Sequence, residues 1–175
     1  MVLFTRSKEN DMIFSLRNVK NDDHEWLVEL HNDPMVLKNI TNPNIISLEH
    51  HNEWWKSIDN IKEIRKIFCV NKDRAGFCKF YKIDKVNNNC VLGADLHSSY
   101  RGKHFSKYMW NLMLDFCFNQ NHLNMVYLTT AEYNTIAINL YRSLGFKDAG
   151  LIPQSLYRDG KYYDQICMYM LRDER

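Results

Sequence analysis

The residues with the most chemical content fall in two segments. The first, Leu96-His97-Ser98-Ser99-Tyr100-Arg101-Gly102-Lys103-His104-Phe105-Ser106, reads as a strand that turns through a short polar loop straight into a helix. Such a turn aims several backbone N–H groups and the positive end of the helix at one spot, where a pyrophosphate can sit. An ordinary strand-to-helix connection with a basic tip has the same pattern. In the second segment, Asn134 and Tyr141 stand seven residues apart, two helical turns, and so share a face. That polar pair can serve a ligand; equally, Asn134 can be a helix cap and Tyr141 an amphipathic core residue.

Metal chemistry finds no pattern. His50 and His51 are adjacent and therefore project from different faces of a helix. The five cysteines are odd in number, widely spaced and free of CxxC pairs, which speaks against a zinc site and a disulfide framework and for reduced core residues of a cytoplasmic protein.

Ordered elements must position these residues. Met12 to Arg17 reads as a first strand, and Asp22 or Asp23 can cap a helix carrying Trp26, Leu27 and Leu30 until Pro34 breaks it. Asn42-Pro43-Asn44 interrupts the next stretch, and Ser47 can cap a helix carrying Trp54 and Ile58. Ile64 to Asn71 and Phe77 to Ile83 predict a hairpin turning at Asp73-Arg74-Ala75-Gly76, with Asn87-Asn88-Asn89 as the following turn. Val91 to His97 is strand-like, and Phe105, Met109, Leu112, Met113 and Phe116 predict an amphipathic helix over 102–119. Met125 to Thr130 forms a further strand, Asn134 to Leu144 a helix stopped by Gly145, and Tyr162 to Leu171 a closing strand. Hairpins followed by strand–helix–strand–helix–strand predict a mixed α/β fold in one domain over 1–175.

The 175 residues, 45% apolar, suit one core. With 23 basic and 21 acidic residues interspersed, no basic field advertises nucleic acid, and no apolar run is long enough to span a bilayer. The first ten residues lack the apolar stretch of a secretory leader.

Taken together, the two segments resemble the acetyl-CoA loop and the following helix of the GCN5-related N-acetyltransferases (GNAT), in order and separation. Arg101 and Tyr141-Arg142-Ser143-Leu144-Gly145-Phe146 fit that pattern; His104 and Ser106 stand where glycine, or glycine and alanine, are usual. Leu16-Arg17, Asn32-Asp33-Pro34 and Tyr157-Arg158-Asp159-Gly160-Lys161-Tyr162 look like the ribosomal-protein and spermidine branch, and the stretch 46–55 is similar to acetyltransferases of nucleotide-linked amino sugars. The resemblance implies a mostly antiparallel, partly parallel splayed sheet flanked by helices. It implies acetyl-CoA as cosubstrate, its pantetheine arm along Ala94, Asp95 and Leu96. Arg101, Gly102, Lys103, His104, Phe105 and Ser106 would hold its pyrophosphate, and Asn134 would add a bond. His104, lacking glycine's freedom, crowds the loop unless its backbone is helical.

Amine attack on a thioester needs an acid for the departing thiolate, a role the resemblance gives to Tyr141. Many relatives carry a glutamate as base before the loop; the equivalent place here is Cys90-Val91-Leu92. Asp95 and His97, alternating to one side of the strand, are the protein's own candidates, beside a water chain to solvent. Asn32, His50, His51, Trp54, Trp55 and Tyr157 fall in the regions that would bind the amine. A nucleotide-linked amino sugar is placed ahead of a protein N-terminus or a polyamine, because no dense acidic cluster awaits a polycation. A noncatalytic acyl-CoA-binding module is the competing class, and a homodimer is left open.

Overall fold

The computed structural model describes residues 3–6 and 11–175, so part of the N-terminal stretch read above for a leader lies outside it. Eight strands form one sheet in the order β1-β2-β3-β4-β5-β6-β8-β7. They are β1 (Leu3–Arg6), β2 (Ile13–Asn18), β3 (Ile64–Val70), β4 (Asp73–Asp84), β5 (Asn89–Leu96), β6 (Met125–Ala131), β7 (Lys147–Arg158) and β8 (Lys161–Leu171). The helices are α1 (His24–His31), α2 (Pro34–Asn39), α3 (Leu48–Lys56), α4 (Phe105–Asp115) and α5 (Thr135–Ser143).

Both faces of the sheet are covered, which explains the unbroken apolar run at the end of β3. Phe68 and Val70 join the larger core, formed with Met109, Trp110 and Met113 of α4 and flanked by Leu140 and Tyr141 of α5 and its C-cap Leu144. Ile67 and Cys69, on the alternate face, join Leu27 and Leu30 of α1, Val36 of α2 and Phe77. Phe14 stacks on Tyr108 at 4.1 Å between ring centroids and meets Phe105 edge-on, seating the start of α4 on β2.

Several expectations shift. Pro34 does not end a helix so much as begin one: it occupies the first turn of α2, where its missing N–H has no acceptor to lose, and Asp33 caps it by accepting from the Met35 and Val36 amides. The hairpin turns at Asn71 and Lys72, both at positive φ, rather than at 73–76, so Gly76 is a strand residue paired with Leu96. Before the closing strand the chain forms one more, β7, which the periodicity does not predict, and turns into β8 at Asp159–Gly160, again at positive φ. Helix α3 ends at Lys56, before Ile58, and α4 begins at Phe105 and widens into a π-helical turn over Phe116–Gln120.

The sheet is antiparallel except where β5 meets β6, and there the parallel pairing covers only Asn89–Val91 with Met125–Tyr127. Beyond that, β5 keeps β4 through Leu96 and β6 keeps β8 through Ala131. The two strands therefore splay, leaving the β6-facing edge of Ala94, Asp95 and Leu96 unpaired by strand.

Candidate active site

The splay is closed at one end by the turn into α4. Gly102 and His104 both have positive φ, +72° and +59°. The backbone of His104 is thus left-handed, not right-handed helical, and this is the physical reason glycine suits the position. As at any helix start, the first amides of α4, on Phe105 and Ser106, have no acceptor within the helix and are offered outward.

The basic residues of this turn are already engaged. Arg101 donates from Nε to the Leu96 carbonyl at 2.9 Å and from Nη2 to Asp33 Oδ1 at 2.9 Å. Lys103 Nζ donates to the Ser99 carbonyl at 2.7 Å. Arg101 beside Asp33, with the capped amides of α2, holds that carboxyl below the usual carboxylate range despite its desolvation. Arg101 is built as a brace between the turn and α2, which leaves backbone amides and the helix end as the groups free to meet an anion. The free sheet edge, the outward amides and the glycine at Gly102 fit a pantetheine arm with its pyrophosphate.

Across the splay, Asn134 caps α5, accepting from the Ala137 amide at 3.4 Å. One face further on, the Tyr141 ring packs edge-on against Trp110 at 4.8 Å and tilted against Phe146 at 5.8 Å. Burial pushes its phenol pKa up, and the Asp95 carboxylate and Tyr81 push it further. Tyr141 belongs to the core on the α4 side of the sheet. A phenol so placed holds its proton at neutral pH and can give it to a thiolate.

On the other face of the sheet, a cavity of about 570 Å³ opens beside Asp95. Its wall is mostly apolar: Leu27, Leu30, Ile40, Ile46 and Phe77, with Trp54 at the rim, 43% exposed. The segment 40–46 roofs it. Asn32 fixes that roof by exchanging two hydrogen bonds with the Ile46 backbone, at 2.8 and 2.9 Å, and Arg158 of β7 donates to the Ile40 and Thr41 carbonyls.

The expected substrate residues separate accordingly. His50, His51 and Trp54 line the cavity; Asn32 shapes its roof. Trp55 instead lines an outer cavity of about 560 Å³ together with His24, Glu25 and Lys56. Tyr157 packs tilted against Tyr162, 4.9 Å between ring centroids, at the β7–β8 tip and belongs to neither. His97 is a local residue: its Nδ1 accepts from the Ser99 amide and its ring stacks near Trp26.

Sequence reading missed Lys79. It lies opposite Gly93, where an added Cβ would come within 3.2 Å of its stem, and its ammonium reaches Asp95 at 2.7 Å. The signal, a glycine facing a long cation across a hairpin, needs the register to be legible. It missed also His24, whose Nδ1 is 2.9 Å from His51 Nε2 across a gap of 27 residues in sequence. Among the described residues no cluster of three or more His, Cys, Asp or Glu side chains could hold a metal, and no helix is long and apolar enough to cross a membrane.

Comparison with known proteins gives these features a common frame. The family model for the acetyltransferase (GNAT) domain matches residues 14–147. The chain is 26% identical over 144 residues to the SPbeta prophage-derived uncharacterized N-acetyltransferase YokL of Bacillus subtilis, covering 81% of each. It is 24% identical over 154 residues to the spermidine N(1)-acetyltransferase of Vibrio cholerae, covering 81% of this chain and 89% of that one. The corresponding Escherichia coli enzyme is 24% identical over 160 residues, 91% of this chain and 86% of its own. The crystal structure of the V. cholerae spermidine N-acetyltransferase with CoA and spermine superposes with a TM-score of 0.86 over 92% of this chain and 96% of that one, at 24% identity.

Proposed function

The chain belongs to the acetyltransferase (GNAT) domain family, and from that premise we propose that it acetylates a primary amine of polyamine type, lying in the cavity beside Asp95. As a GNAT enzyme it is an acyltransferase using acetyl-CoA. The relatives named for spermidine favour the acceptor that the sequence reading ranked behind a nucleotide-linked amino sugar.

The argument against a polyamine, the lack of an acidic cluster, gives way to the cavity's character. Apolar walls match an aliphatic chain, since methylenes leaving water are stabilised by ~0.8 kcal/mol each. The Trp54 ring at the rim suits a distal ammonium through its π-face. Asp95 is the carboxylate in that lining, and Lys79 reaches it at 2.7 Å.

The observation that carries the reading is that this cavity opens at Asp95, on the β5 edge the splay leaves free, while Tyr141 packs in the core on the opposite face. In this arrangement the amides of the turn hold the cosubstrate, the free edge of β5 orients it, and Tyr141 returns a proton to the departing sulfur. Spermidine, spermine, a nucleotide-linked amino sugar and an N-terminal peptide, each with acetyl-CoA in a CoA-release assay, test the assignment. Turnover confined to the polyamines, with a Trp54→Ala variant raising their KM about tenfold, supports it; turnover of another class, or a Trp54→Ala KM unchanged, overturns it.

A further inference from the structure

The acceptor nitrogen must shed a proton as it attacks, and no glutamate precedes the turn to take it. The interior supplies something else. His51 is buried, 3% exposed, and lines the acceptor cavity; His24 lines the outer cavity; their facing ring nitrogens are 2.9 Å apart. The two rings thus link the linings of the two cavities, and Trp55 packs against both, edge-on to His24 and stacked on His51. Nothing in the folding of α1 onto α3 requires two imidazoles there, since apolar side chains would seal the gap without a polar pair to satisfy.

We propose that His51 is a catalytic residue that takes the proton of the attacking nitrogen and passes it through His24, a positioning residue, to water in the outer cavity. This rests on the reading of the inner cavity as the acceptor site. The step balances as follows. The neutral amine attacks the thioester carbon, a C–N bond forms and the carbonyl π-electrons move to oxygen, leaving nitrogen cationic and acidic. His51 accepts that proton at Nδ1 and releases its Nε2 proton to His24 Nδ1, while His24 gives up its Nε2 proton to water. The oxyanion's electrons then re-form the carbonyl, the C–S bond breaks, the sulfur takes a proton from Tyr141, and the phenolate regains one from water, which has received the proton released by His24. Once product leaves, exchange with water at the two outward nitrogens restores both tautomers.

The surroundings favour a neutral relay. Burial lowers the His51 pKa to about 4, with His24 and His31 adding to the effect, so at neutral pH the ring is uncharged and ready to accept. Lys79 and Asp95 face it across the inner cavity as a neutralised pair, and Asp22, Glu25 and Lys56 line the outer cavity where the proton emerges.

Imidazole ¹⁵N NMR of the full chain reads the pair without turnover: a shared proton appears as a coupling between His51 Nε2 and His24 Nδ1. Kinetics then compares wild type, His51→Gln and His24→Gln on whichever amine wild type consumes, so an acceptor that is not a polyamine overturns only the substrate assignment. Expected is a kcat loss of about 100-fold for His51→Gln and about tenfold for His24→Gln, with the acetyl-CoA KM unchanged. Added imidazole should restore His24→Gln toward the wild-type rate. Independent rings by NMR, wild-type rates in both variants, or a loss that imidazole leaves untouched in His24→Gln would overturn the relay.

Discussion

Arg101 and Asp33 are 68 residues apart in sequence and 2.9 Å apart in space, and their contact ties the turn before α4 to the N-cap of α2. One carboxylate both caps a helix and holds the residue that the family pattern places at the pyrophosphate. The turn before α4 and the start of α2 are thereby one mechanical unit. Arg101→Ala should destabilise the fold by about 1–2 kcal/mol, since it removes a charge-assisted bond from a partly exposed carboxylate that keeps two amide partners. Urea unfolding measures this. A double-mutant cycle with Asp33→Ala should give a coupling of about 1 kcal/mol, and additive losses would show the pair to be idle.

His104 sits at φ +59° at the start of α4, where every side chain but glycine is strained. His104→Gly relieves about 1–2 kcal/mol of strain and gives back about 0.5–1 kcal/mol as extra freedom of the unfolded chain. The net expectation is a rise in Tm of a few degrees and, with the imidazole gone from the loop, tighter acetyl-CoA binding by calorimetry. A lower Tm with weaker binding would mean that the imidazole itself bonds the cosubstrate.

What could be read from the chain follows the range of the forces involved. The α4 helix and the strand before it are written in local periodicity, and so are Gly102 and the Tyr141-to-Phe146 segment. The Asn71–Lys72 turn was misplaced because positive φ at asparagine and lysine carries no such mark as the glycine nearby. Strand β7 was missed because its exposed residues show no alternation; its identity comes from its pairing with β8. The site splits the same way. Tyr141 and Asn134 share a helix face and were legible, whereas Lys79 against Asp95 and His24 against His51 are products of register and helix packing, invisible to one-dimensional spacing. Arg101 was legible as a residue of the turn but not as a brace, since its partner comes from a distant cap.

Gly76 lies under the splay. A Cβ there would stand 2.8 Å from the Asp95 carbonyl oxygen and 2.9 Å from Met109 Sδ. The thioether can swing aside, but the strand carbonyl can yield only by moving β5. Gly76→Ala should therefore destabilise by about 1–3 kcal/mol and raise the acetyl-CoA KM, because the displaced backbone is the edge offered to the pantetheine arm. Loss of stability without any change in KM would separate that edge from cosubstrate binding.

Acid should weaken the fold in two windows. His51 titrates at about 4 in the native protein against roughly 6.5 when unfolded, so between those values the unfolded chain binds more protons and stability falls as pH drops. The loss, at most about 3 kcal/mol, is complete near pH 4. Asp23 and Asp33 are held below the usual carboxylate range by Arg17 and Arg101, so their contribution is present at and above pH 4 and disappears only below it. Chemical denaturation from pH 7 to 4 should show a slope that His51→Gln flattens, leaving the steeper decline under pH 4 in place. An unchanged slope in that variant would mean that His51 is solvated or already charged in the native state.

Tyr141 is the residue on which departure of the thiolate depends in the proposed reaction. Its phenol keeps its proton because the site withholds water and because the Asp95 carboxylate opposes a second negative charge nearby. Tyr141→Phe keeps the ring against Trp110 and Phe146 and removes only the hydroxyl, so Tm and the acetyl-CoA KM should change little. The expected loss is about 100-fold in kcat, within the usual range for a positioned acid. The pH profile adds a second readout. A phenol raised above its ordinary pKa chiefly by burial cannot set an alkaline limb below about pH 10. A kcat that survives Tyr141→Phe, or an alkaline limb below about pH 10 that Tyr141→Phe abolishes, would mean that the phenol is not the buried, protonated acid described.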